Sequence, residues 1–139
     1  MSLTPAVREF LVRLDELLDA KAPAGLDRAA VAVTTADSVA LVRLPHSSDH
    51  ARDVELEVDD ATVIVRYTPE QIVFTSRDEA LRFVEMLCDG RVEVGGIRNL
   101  LWTTICSYRD GQTVPFRRTR MPWPSLRLGT DRHPVGFGD

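Results

Sequence analysis

Between Asp53 and Ile97 the spacing of apolar residues changes period twice: it runs at two, switches at Ser76 to three and four, then returns to two. Alternation at two marks a strand with one buried face, and recurrence at three and four marks a helix. This stretch therefore dictates strands, one helix and a further strand. Val54, Leu56 and Val58 alternate with Glu55 and Glu57, and beyond Asp59 and Asp60 the pattern resumes at Ala61, Val63, Val65 and Tyr67. A hairpin with a two-residue turn is expected, with Leu56 opposite Val63 and Asp53 facing Arg66 as an opposite-charge pair. Thr68, Pro69 and Glu70 give the next turn, and 71–75 a short strand with Ile72 and Phe74 on one side. Ser76 and Glu79 fit a capping box. Ala80, Leu81, Phe83, Val84, Leu87 and Cys88 gather in an arc of about 160°, which predicts a deeply buried helix over about 77–89. Gly90 suits the left-handed residue that ends it. Arg91 opens a strand through Val92 and Val94, with a bulge expected at Gly95 and Gly96.

Val7, Phe10, Leu11, Leu14, Leu17 and Leu18 predict a second amphipathic helix over about 5–20, with Thr4 as N-cap and Pro5 at its first position. Its apolar face is expected to dock on the protein's own sheet. In 28–44 the clustered β-branched residues favour two strands, with Ala29, Val31 and Val33, then Val39 and Leu41, as alternating positions and a break at Ala36 and Asp37. Residues 45–52 read as a polar loop.

Residues 100–108 and 112–120 predict another hairpin, in one of two registers. A two-residue Asp110, Gly111 turn groups Leu101, Ile105, Val114 and Phe116 and exposes Trp102 beside Arg117. A three-residue loop from Arg109 to Gly111 instead groups Trp102, Cys106, Tyr108, Val114 and Phe116; it collects more apolar area, is favoured, and makes Trp102 core.

These elements predict an α+β domain over 1–120: a mainly antiparallel sheet of about six to eight strands with both helices packed on one face. The element order resembles that of small chaperone-like and cystatin-like α+β domains, in order alone. Residues 121–139 hold three prolines and no sustained periodicity, so they are expected to be an irregular tail, packed in part on the domain through Trp123, with the last residues fraying.

A formal charge of −4 disfavours nucleic acid, whose affinity comes from excess Lys and Arg neutralising phosphates. Lys21 is the one lysine among 17 basic residues, a bias of GC-rich bacterial genomes. No apolar run approaches the ~18 residues of a membrane span, and Met1 to Phe10 lacks the parts of a signal peptide. A cytoplasmic protein is expected, with Cys88 and Cys106 as reduced, buried thiols.

His46, Asp49, His50 and Asp53 are ligand types at short spacing, but Pro45, Ser47 and Ser48 place them in a loop, where spacing fixes no geometry; a solvated loop without metal is expected. Ser47 and Ser48 lack an oxyanion donor, Glu55 and Glu57 are outward strand positions, and Asp59 and Asp60 are turn formers. No catalytic set and no cofactor follow from these residues.

Arg117, Arg118 and Arg120 form the basic run, which can bind an acidic partner or guard a sheet edge. The expected function is a non-catalytic interaction module that binds a protein partner or forms a homodimer, as chaperones and toxin-neutralising proteins do, with Trp102, Tyr108, Arg117, Arg118 and Trp123 as binding residues. The alternative is a small-molecule binder or enzyme with a pocket between sheet and helices, walled by Trp102, Tyr108 and Arg117 or Arg118.

Overall fold

A computed structural model describes the backbone of residues 3–67, 70–98, 102–109, 112–120 and 129–138, and the side chains of 3–67, 71–93 and 134–138. Helix α1 (Pro5–Lys21) begins where the sequence demands: Thr4 Oγ1 accepts from Val7 N at 3.4 Å, and Val7, Phe10, Leu14 and Leu18 are buried. Helix α2 (Arg77–Cys88) is capped by Ser76, whose Oγ accepts from Glu79 N at 3.3 Å. Gly90 lies at φ 72°, in the left-handed region expected after a helix end.

Five strands, β1 (Ala32–Ala36), β2 (Val39–Leu44), β3 (Val54–Val58), β4 (Val63–Tyr67) and β5 (Glu70–Phe74), form an antiparallel meander in chain order. Ala40, Val42 and Leu44, then Val54, Leu56 and Val58, then Val63, Val65 and Tyr67 are buried on one face and join the buried residues of both helices in one core. The helices thus cover one side of this sheet. Period-two patterning decided that face, because on it each pair across the β2–β3 and β3–β4 ladders matches an apolar residue with another.

Several expectations are corrected. In 28–44 both strands form, preceded by one turn of 3₁₀ helix at Arg28–Ala30. The buried face of β2, however, is Ala40, Val42 and Leu44, while Leu41 and Val33 are exposed. The β3–β4 connection is a four-residue loop, so Leu56 lies opposite Val65, not Val63. Asp59 causes this: its Oδ1 accepts from Ala61 N and Thr62 N at 2.8 and 2.7 Å, folding the loop around its carboxylate. The offset is two residues and leaves each face unchanged. Arg66 faces Glu55 and donates to Glu57 at 2.6 Å, so the Asp53 pairing does not occur.

The helices pack on a sheet of five strands, not six to eight. Four further strands, β6 (Val92–Arg98), β7 (Trp102–Arg109), β8 (Gln112–Arg120) and β9 (Gly129–Pro134), form a second antiparallel sheet in the order β8-β7-β6-β9. β6 cannot extend the first sheet because β7 and β9 occupy both of its sides. It runs straight through Gly95 and Gly96; the irregularity falls instead between Ile105 and Cys106, opposite Pro115 and Arg117 of β8. Pro115 has no N–H for the ladder, and a bulge is where a strand tolerates that. Arg109 pairs with Gln112, which is the two-residue register rather than the favoured three-residue one.

In the segment read as an irregular tail, residues 129–134 are β9, and Val135, Gly136 and Phe137 are buried rather than frayed. Phe137 N and Gly138 N both donate to Leu87 O, at 2.9 and 3.2 Å, and so satisfy a carbonyl that the last turn of α2 leaves open. No helix among the described residues is long and apolar enough to cross a membrane.

Candidate protein-interaction surface

β1 is an edge strand whose five residues, Ala-Val-Thr-Thr-Ala, are all exposed and uncharged. A two-residue turn of Asp37 and Ser38, at φ 49° and 70°, joins it to β2, with Ala36 opposite Val39. Pairs of this kind exchange both hydrogen bonds and alternate with pairs that exchange none, so Ala32, Thr34 and Ala36 bond to β2. The N–H and C=O groups of Val33 and Thr35 therefore face away from the sheet, and among the described residues no strand lies on that side. Sheet edges are ordinarily blunted by charge, proline or a bulge. β8, the edge of the second sheet, carries Pro115, Arg117, Arg118 and Arg120; β1 has no such guard.

The sheet face away from the helices is continuous with this edge. One row across it runs Thr34, Leu41, Glu57, Ile64 and Val73, and the next runs Ala32, Arg43, Glu55, Arg66 and Gln71. Leu41 is 43% and Val73 53% exposed, while the charges alternate in sign, with Arg66 bonded to Glu57 and Gln71. A depression of about 350 Å³ lies beside β1, lined by Ala32, Thr34, Leu41, Arg43 and Glu55. A second, of about 240 Å³, lies between the starts of the two helices, where Arg13 bridges to Asp78 at 2.7 Å. Both open to solvent, whereas the buried residues described on the helices and on the sheet face beneath them belong to one hydrophobic core.

His46 is buried, and its neighbours explain why a loop of ligand-type residues holds together. Its Nδ1 accepts from Ser48 N and Asp49 N at 3.1 and 3.0 Å, and its backbone N donates to Asp53 Oδ1 at 2.7 Å. Burial alone raises the Asp53 pKa, but the His46 amide and the nearby Arg43 and His50 outweigh it and hold this carboxyl below the ordinary value. The imidazole stacks on Phe137 with ring centres 6.3 Å apart, and Gly25 N donates to Phe137 O at 3.1 Å. The loop is thus a structural clasp for the C-terminal segment. No group of three or more His, Cys, Asp or Glu able to hold a metal ion occurs among the described residues.

The residues predicted to bind are distributed by the second hairpin: Trp102 pairs with Arg120 and Tyr108 with Thr113, while Arg117 pairs with Ile105 and Arg118 with Thr104. Arg117 and Arg118 thus occupy successive positions on β8, and no ladder pair joins either to Trp102 or Tyr108. Trp123 lies outside the described residues, and so does the side chain of Cys106. Burial, with Asp89 next to it, pushes the Cys88 thiol up to about 12, so it stays protonated and unreactive. Sequence reasoning placed a strand at β1 but did not name it among the binding residues, although its five uncharged residues stood in plain view; the missing signal was which strand ends the sheet. The chain matches no family model, no curated protein and no solved structure.

Proposed function

We propose that this chain is a non-catalytic interaction domain that takes a polypeptide along the free edge of β1. The observation that carries the reading is an unguarded edge: outward backbone groups at Val33 and Thr35 with no charge among the five side chains. An extended segment added there gains main-chain hydrogen bonds and rests beside the exposed Leu41, the mode by which strands augment sheets. The described ligand-type residues serve the fold: His46 and Asp53 close the clasp, Asp59 closes a turn, and Cys88 is core.

A photoreactive side chain at Val33, in the full chain in its native cells, tests this, with the same group at the exposed Arg82 of α2 as control. Polypeptide adducts are expected from Val33 and not from Arg82. Adducts no more abundant at Val33 than at Arg82 would remove β1 as the docking edge.

A further inference from the structure

We propose that β1 pairs antiparallel with the β1 of a second copy, about a two-fold axis through Thr34, joining two five-stranded sheets into one continuous sheet with all helices on the same side. The inference rests on β1 being a docking edge and names its occupant. In this register Val33 lies opposite the partner's Thr35, and Thr35 opposite the partner's Val33. Both are outward-bonding positions, so each pair exchanges two N–H to O=C bonds and the outward groups of Val33 and Thr35 are satisfied in both copies. A one-residue slip sets them against positions already bonded to β2.

The side chains are self-complementary under the same axis. Thr34 meets its own copy, a favourable cross-strand pair, Ala32 meets the partner's Ala36, and no like charges meet within the strand. At the ends of the strand Arg28 is already held by Asp15 and Asp19, and Arg43 by Asp53, so the strand itself carries the recognition. A second copy thus fits in register and side-chain type together. Five residues a side give an interface below the standard size, so association should depend on concentration in the micromolar to millimolar range.

Sedimentation of the full chain from about 10 µM to 1 mM should show a monomer–dimer equilibrium. Thr35→Pro removes an outward N–H that no intramolecular bond uses, and edge strands tolerate proline; it should weaken dimerisation at least about tenfold while leaving far-UV circular dichroism and Tm unchanged. Thr34→Cys should oxidise to a symmetric intermolecular disulfide, because directly opposed, non-bonded positions bring Cα atoms to about 4.5 Å, within disulfide reach. Val33→Cys should not, since each Val33 faces the partner's Thr35. A monomer at every concentration, a Thr35→Pro chain that dimerises like the parent, or equal cross-linking through Cys at 33 and 34 overturns the pairing. If the chain is monomeric yet Val33 cross-links to a different polypeptide, the two-fold pairing falls and the edge reading stands; absence of adducts from Val33 removes both.

Discussion

β1 has the composition of a strand and buries none of its residues, whereas 134–138, Pro-Val-Gly-Phe-Gly, has no alternation and buries Val135, Gly136 and Phe137. The difference separates two things that sequence patterning tends to merge. β-branched residues and a tight turn dictate backbone state, and β1 is a strand because Val33, Thr34 and Thr35 favour it and Asp37 and Ser38 reverse the chain. Burial depends on what lies across from a residue. β2 buries Ala40, Val42 and Leu44 in the core shared with the helices, whereas Val33 of β1 stays 52% exposed; Phe137 meets the end of α2, the His46 ring and the Gly25 backbone at once.

The sharpest way to break this contrast is to truncate one apolar side chain in each segment. Phe137 is fully buried, and Phe137→Ala should lower the urea unfolding free energy by about 3–5 kcal/mol. Val33 is 52% exposed, and Val33→Ala should change it by no more than about 0.5 kcal/mol at concentrations where the chain is monomeric. Comparable losses from the two would mean that β1 is covered within the monomer.

A middle-sized effect is expected at Gly25. A Cβ there would come 2.6 Å from Phe137 O and 2.9 Å from His46 Nε2, a backbone atom and a buried ring with no room to withdraw. Gly25→Ala should therefore cost about 1–3 kcal/mol. It should also accelerate amide exchange at Phe137 and Gly138, whose N–H groups bond Leu87 O, while exchange in β1 stays as it was. Unaltered exchange at Phe137 would show that the clasp does not hold the segment.

What the sequence disclosed follows the same division. Both helices, their caps at Thr4 and Ser76, and the strands from Val54 to Phe74 were legible because each is written in contiguous residues: a period, a cap, a turn former. The β3–β4 register was not, because the Asp59 carboxylate gathers two backbone amides and lengthens the turn, an interaction no alternation encodes. The split into two sheets was hidden as well, since β9 carries no apolar alternation and finds β6 across the 30 residues from 99 to 128. The binding candidates were selected for being aromatic or basic, which favoured Trp102 and Arg117 over the uncharged strand that ends the sheet. Plain composition at an edge becomes informative only once the strand order is known.

The smallest expected effect probes how separately β1 is held. Ser38 sits at φ 70°, where a side chain is strained and glycine is not. Relief of that strain is offset by the extra freedom glycine gives the unfolded chain, so Ser38→Gly should gain only about 0.5 kcal/mol. Because β1 shares no buried side chain with the core, the gain should appear as local stabilisation: the Thr34 amide, which bonds across to Leu41, exchanging about twofold more slowly, with Tm and exchange at Phe137 unmoved. An equal gain in global stability would tie the opening of β1 to unfolding of the whole domain. The strand would then be part of the cooperative core despite its exposure, and its free edge would be presented on a rigid rather than a separately fluctuating element.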